Sequence, residues 1–316
     1  MPKTLFSFLL FGSLFNTFIA ANARGSLPTN SPSSQSRPVS YQTISTSYLG
    51  NNTDIIRASF SHPPINLVDA TLINDLHDFL TELNSSASRP KVVIFSSSVK
   101  GFFLSHLDFH LISSAEPGVG NSTAIANRFA DALGLLSVLP IIFVGESNGV
   151  TIAAGNEVFV HLDMRFAGPD ATFGAIEAGI GLFQLGGFRQ LSQLIGAGRA
   201  AQYLLTAIKV DARTASRIGW INDMFEDVGE MQRNSDYLAR RMALFPAGGL
   251  ASTKQVIHDT AIGTFEQPFE TQIFESLVNL PITQYALTRY LALSNNETDT
   301  IFETGQPDSL AKIWLK

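Results

Sequence analysis

NGVTIAAGNEVFVHLDMRFAGPDATFGAIE, running from Asn148 to Glu177, is the most informative stretch of this 316-residue chain. It places the small residues Ala153-Ala154-Gly155 just before Glu157, and a second acid, Glu177, further along the same stretch. Small side chains let a substrate carbonyl approach backbone N–H groups. A helix opening there has unpaired N–H groups and the positive end of its dipole at that point. Such an end favours a developing oxyanion, and two nearby carboxylates can move protons. The plainer alternative, from spacing alone, is a close helix–strand contact with two solvated glutamates.

The flanks extend the pattern. Asn148-Gly149 leads through Ala153-Ala154-Gly155 to Glu157, close to N-G-x-x-x-G-G-G-x-E with alanine at the first two of the three glycines. Asp163, Arg165 and Ala167 follow as D-x-R-x-A. Ala171, Phe173, Gly174 and Glu177 then match A-x-F-G-x-P-E, with Ile176 in the proline's place. Upstream, FSHPPIN (Phe60–Asn66) reads as an opening strand and a P-P-x-N turn. Downstream, GAGRAAQYLLTAIKVDARTASRIGWIN (Gly196–Asn222) closes the core. Collinear over roughly residues 46–260, these motifs resemble the enoyl-CoA hydratase/isomerase, or crotonase, family.

The resemblance implies an α/β fold: a crotonase-like spiral of ββα units over residues 46–240 and a helical C-terminal tail over 241–316. In the family such a tail covers the active site and packs subunits into trimers or hexamers; a self-contained helical cap is the alternative. The family's first oxyanion element, F-x-A-G-x-D-L, falls on Phe103-Leu104-Ser105-His106-Leu107-Asp108-Phe109, with His106 where glycine is usual. The backbone donors implied are the N–H groups of Leu107 and Ala154. Glu157 and Glu177 map onto the two glutamates that add water across a conjugated double bond, and His106 and Phe103 onto the substrate pocket. Lys100 and Lys254 are the residues placed to meet the phosphates of a CoA thioester, which would be a substrate; no cofactor is implied.

Periodicity agrees with a mixed α/β core. Ile55–Ser61 and Lys91–Phe95 read as strands, and so does Pro140–Val144. Asp69–Leu83 carries Leu72, Ile73, Leu76, Phe79, Leu80 and Leu83 at helical spacing, and Ala124–Val138 is a second such helix. Val158–Phe166 and Ala171–Phe173 read as extended pieces, and Phe269–Leu280 and Ile282–Leu293 as helices separated at Pro281. His106 and His110 lie four apart with Asp108 between them. A metal site would need a third ligand at fixed spacing, and none is evident, so His110 reads as an exposed helix residue.

The ends carry different signals. Met1–Ala23 has a basic Lys3, an apolar run over Leu5–Ile19 and the small-x-small site Ala21-Asn22-Ala23, the three parts of a secretory signal. Residues 24–45, rich in Ser and Pro, read as a disordered leader. Asn51, Asn84, Asn121 and Asn296 stand in N-x-S/T sequons, which become glycan sites on a secreted chain. There is no cysteine, so no disulfide braces the fold. Charged residues make up 15% of the chain, against about 25% in an average soluble protein, and there are 24 phenylalanines. That balance points to a deep core or extensive subunit contacts. The net charge of −6 and the lack of a basic stripe argue against nucleic-acid binding. No second long apolar run follows, so no membrane contact is expected after signal removal.

Two function classes follow. One is a lyase or isomerase acting on an α,β-unsaturated or enolisable carbonyl compound, as an acyl-CoA thioester or a CoA-free intermediate. The other is a non-catalytic binding or structural secreted protein on the same fold.

Overall fold

The computed structural model of the chain describes residues 41–113, 122–262, 274–275, 277–306, 309 and 312–313. Segment 1–23, most of 24–45, Asn121 and half of Phe269–Leu280 lie outside the described residues. Strands β1 (Ile44–Leu49) and β2 (Asn52–Phe60) pair antiparallel and lead into helix α1 (Ala70–Ser85). The chain then spirals. β3 (Val92–Ser97) and β4 (Phe102–Leu104) precede α2 (Ser122–Val138), and β5 (Ile142–Ser147) and β6 (Val150–Ile152) precede the short α3 (Ala154–Val160). β7 (Met164–Ala167) and β8 (Thr172–Gly174) make the next turn. Each turn lays one strand in a six-stranded sheet, ordered β1-β2-β3-β5-β7-β10 with β10 at Asp223–Met224, and one in a four-stranded sheet, ordered β4-β6-β8-β9 with β9 at Val210–Asp211.

Helices α4 (Gly187–Ile195) and α5 (Ala197–Thr206) lead to β9 (Val210–Asp211), α6 (Ala212–Ile218) and β10 (Asp223–Met224). Helices α7 (Val228–Ala243), α8 (Ala247–Ile262), α9 (Pro281–Leu293) and α10 (Thr300–Thr304) complete the described part. The helical region thus begins at Val228, ahead of residue 241, because α7 closes the core itself. Its Met231, Ala239 and Met242 cover one face of the large sheet, against Ile55, Val92, Ile94 and Val144. The opposite face carries the stacked rings of Phe60, Phe95 and Phe143, with centroids 5.4 and 6.0 Å apart. Burial on both faces is why β3 reads as an unbroken apolar run, as parallel strands do.

Helix α1 forms as its spacing predicts. Asp69 caps it, accepting from Leu72 N at 2.8 Å, and all six expected apolar residues are buried. Pro281 opens α9 at its first turn, where the missing N–H costs nothing.

Two boundaries differ from the sequence reading. β1 starts inside the Ser/Pro-rich leader, because Ile44 is fully buried and Thr43 N and Oγ1 donate to Asp75 at 2.6 and 2.8 Å. Val158–Val160, read as extended, end helix α3, and only Met164–Ala167 forms a strand there. The helix begins because Ala153 turns the chain at φ 53° and ψ −122°. Gly155 then passes so close to β4 that a Cβ would meet the Leu104 carbonyl oxygen at 2.1 Å. That contact makes the third position of the small-residue run an obligatory glycine, while the first two admit alanine. The residues of D-x-R-x-A hold the fold. Buried Arg165 donates to the carbonyls of Trp220 and Leu162 at 3.0 and 2.5 Å, and Asp163 accepts from Phe143 N at 2.8 Å.

Candidate active site

A cavity of about 470 Å³, including its opening to solvent, lies where the loop after β4, α2, the start of α3, the segment after β8 and the tail meet. Leu107, Ala153, Ala154, Glu157 and Glu177 all line it. The remaining wall is apolar, including Phe129 from α2, Ile180 from the 3-10 turn Glu177–Ile180, and Phe274 from the tail.

Ala154 is the first residue of α3, so its N–H has no acceptor inside the helix. The next amide is already used: Gly155 N donates to Ser105 O at 2.8 Å. Leu107 bridges Val68 in parallel fashion, with Val68 N donating to His106 O and Asp108 N to Val68 O, each at 3.0 Å. In a parallel ladder this turns the N–H and carbonyl of Leu107 itself to the side away from Val68.

Both glutamates are buried, in unlike surroundings. Glu157 Oε2 accepts from Gly186 N at 2.6 Å and Gly187 N at 3.0 Å, at the opening of α4. Two backbone donors at a helix N-terminus favour a carboxylate. A Cβ at Gly187 would lie 2.9 Å from Glu157 Cγ, so the Gly186-Gly187 pair is what lets the acid dock. Behind it, His161 Nδ1 lies 2.6 Å from Glu157 O and Nε2 2.7 Å from Gln190 Nε2, joining α3 to α4. Burial pushes this imidazole down to about 4, so it is neutral. Glu177 meets the reverse conditions. Burial, reinforced by the neighbouring Glu157, pushes its carboxyl up to about 8, and its Oε2 has no hydrogen-bond partner. The two acids thus share one cavity in unlike surroundings, one held by backbone amides and one desolvated without a partner for Oε2.

Four residues take places other than those the motifs implied. Phe103 is fully buried in the core, 5.6 Å from Phe60 and 5.0 Å from Phe159 between ring centroids, and does not line the cavity. His106 is also withdrawn from the cavity and fully buried, because a carboxylate and an aromatic shell engage it. Its Nε2 lies 3.0 Å from Glu303 Oε2, its Nδ1 2.8 Å from Leu107 O, and its ring stacks on Phe109 at 4.7 Å. Burial alone would lower its pKa, but Glu303 and Glu297 outweigh that and raise it to about 9. His106 keeps a negative φ, so it replaces glycine without distorting the first oxyanion loop. Lys254 is buried rather than presented to a phosphate. Its three protons go to Leu136 O, Ile141 O and Asp163 Oδ2 at 2.8, 2.9 and 2.9 Å. His110, expected exposed, is half-buried on the 3-10 turn Phe109–Leu111. Lys100 is exposed in the turn between β3 and β4, and Asn51, Asn84 and Asn296 are exposed.

The sequence reading missed the tail's contribution. Glu297 accepts from Phe109 N at 2.8 Å, and Tyr290 donates to Glu303 at 2.7 Å. Gln306 Nε2 adds a third contact to Glu303 at 2.8 Å. No local motif could have revealed these partners, which lie 188 and 197 residues from the loop they hold. The Gly186-Gly187 pair did carry a signal, as two glycines opening a helix.

Comparison with known proteins identifies the family. Residues 50–291 match the family described as enoyl-CoA hydratase/isomerase. The short-chain-enoyl-CoA hydratase of Clostridium acetobutylicum is 28% identical over 47% of this chain and 58% of its own length. The crotonyl-CoA hydratase of Syntrophomonas wolfei is 27% identical over 51% of this chain and 62% of its own length. The chain therefore spans less than two thirds of either relative. A solved structure from Streptomyces avermitilis, provisionally named an enoyl-CoA hydratase, superposes with a TM-score of 0.79 at 30% identity. It covers 89% of this chain and 100% of its own. Motifs, ββα spiral and matched residues agree: the chain belongs to the enoyl-CoA hydratase/isomerase family.

Proposed function

We propose that this protein adds water reversibly across the double bond of an α,β-unsaturated carbonyl compound. One observation carries the reading: two glutamates, one held by backbone amides and one desolvated, face one apolar cavity beside two helix- and loop-borne amides. The substrate carbonyl oxygen accepts from Leu107 N–H and Ala154 N–H. Glu157, the carboxylate, takes a proton from water as the hydroxyl oxygen bonds to the β-carbon. The π electrons move onto the carbonyl oxygen, whose charge the two amides stabilise, each by about 3–4 kcal/mol. Glu177 then delivers its proton to the α-carbon as the carbonyl reforms. Glu157 ends protonated and Glu177 ionised, and solvent exchange restores both. The test is loss of ultraviolet absorbance from short 2-enoyl thioesters. Turnover that disappears in Glu157→Gln and Glu177→Gln supports the reading, and turnover indifferent to both would sink it.

A CoA-free substrate is the second reading, favoured by the burial of Lys254. With that ammonium engaged, exposed Lys100 is the remaining cation of the two expected at the phosphates. Comparing a 2-enoyl-CoA with the matching pantetheine thioester separates the two. Equal kcat/KM means that the nucleotide adds nothing, and a large preference for CoA restores it as the natural carrier.

The N-terminal signal pattern is the basis for placing the chain in the secretory pathway, and the exposure of Asn51, Asn84 and Asn296 fits glycan attachment there. N-terminal sequencing and a glycosidase mobility shift test it. A homo-oligomer is supported by the exposed Leu205, Leu244 and Ile301, and light scattering tests that.

A further inference from the structure

A second cluster of ligating groups lies behind the first oxyanion loop, outside the hydration machinery. An oxygen of Asp108, a ring nitrogen of His110 and an oxygen of Glu297 lie within 4.8 Å of one another. Asp108 and His110 come from the loop directly after Leu107, and Glu297 arrives from the tail. Glu297 is 2% exposed, and its buried Oε2 meets no donor; the carboxyl pairs side chain to side chain with Asp108. Its other oxygen accepts from Phe109 N at 2.8 Å and lies 3.6 Å from His106 Nδ1. We propose that Asp108, His110 and Glu297 bind one first-row transition dication, such as Zn²⁺ or Mn²⁺, and that this ion fastens the tail to the first oxyanion loop.

Three considerations support the assignment. Two carboxylates and an imidazole form a mixed O/N donor set, which suits transition dications better than the all-oxygen shells of Ca²⁺ and Mg²⁺. The three groups stand near enough to close on a single ion, whose bonds to nitrogen and oxygen run about 2.0–2.2 Å, after a small inward shift of their side chains. The backbone is bent to deliver the ligand: Asn295, Asn296 and Glu297 run consecutively at φ 50°, 53° and 63°. Glutamate in that region is unfavourable and needs a compensating contact.

The test uses the full chain stripped by a chelator and titrated with Zn²⁺ by calorimetry near neutral pH. One equivalent is expected to bind the parent protein, and His110→Ala and Glu297→Gln are each expected to weaken binding at least about tenfold. Zn²⁺ should also raise the melting temperature of the parent and not that of His110→Ala. His110 is half-buried on a short turn, so its variant carries the test if Glu297→Gln does not fold. No binding by the parent, or binding that a folded variant retains, overturns the proposal and leaves a proton shared between the two carboxyls as the explanation of their approach.

Discussion

The two sides of the cavity are held in place by opposite means. On the Glu157 side, Ala153 turns the chain, α3 opens, and Glu157 docks onto the Gly186 and Gly187 amides, so nearby backbone does the positioning. On the Leu107 side, the loop is gripped by side chains from the tail: Glu297 takes Phe109 N, and Glu303 takes His106. The first arrangement is written in short motifs. The second depends on buried charge, and its partners sit almost two hundred residues away in sequence. One cavity thus combines a wall positioned by nearby backbone with a wall whose loop is fastened to the tail.

The largest effect that would break this contrast is catalytic. Glu157→Gln and Glu177→Gln, near-isosteric changes, are expected to lower kcat by about 10²–10⁴-fold, the usual worth of a general base or acid. Steady-state hydration kinetics check it, and a loss below about tenfold in either variant contradicts a role in proton transfer.

Next comes the tail side. His106→Ala leaves Glu303 buried without its cation, which is expected to cost about 3–5 kcal/mol of folding stability, read from urea midpoints. The pH dependence sharpens this. His106 is raised from 6.5 to about 9 in the fold, so its contribution is complete below 6.5 and lost as pH rises through about 9. Alkaline melting should therefore be steep in the parent and flatter in His106→Ala. Glu177 gives a separate alkaline limb: kcat should fall as pH passes about 8, where this acid loses the proton it must donate.

The smallest effect tests the backbone side. Ala153 sits at φ 53°, where glycine is at ease and alanine is not. Ala153→Gly is expected to stabilise the fold by about 0.5–1 kcal/mol, as relief of strain exceeds the entropy glycine adds to the unfolded chain. Destabilisation on thermal melting would mean that the Ala153 methyl contributes packing that outweighs the strain.

The same division explains what could be read in advance. The six apolar positions of α1 follow from periodicity, while the spiral and the convergence of Leu107, Ala154, Glu157 and Glu177 are what the family resemblance implies. Lys254 misled because its motif spacing says nothing about where three backbone and carboxylate acceptors will lie. His106 and Phe103 misled because a place beside a donor does not decide which way a side chain points. β1 was hidden in a Ser- and Thr-rich stretch whose composition resembles a leader but whose Ile44 and Thr43 are buried.

The claim on which the catalytic account turns is that Glu177 holds its proton while Glu157 gives its own up. Carboxyl NMR on protein labelled at the glutamate side chains reads this directly, with Glu177→Gln supplying the assignment. A Glu177 signal titrating near pH 8 and missing from the variant is the expected result. A Glu177 carboxyl titrating in the ordinary range near 4.5 would contradict it.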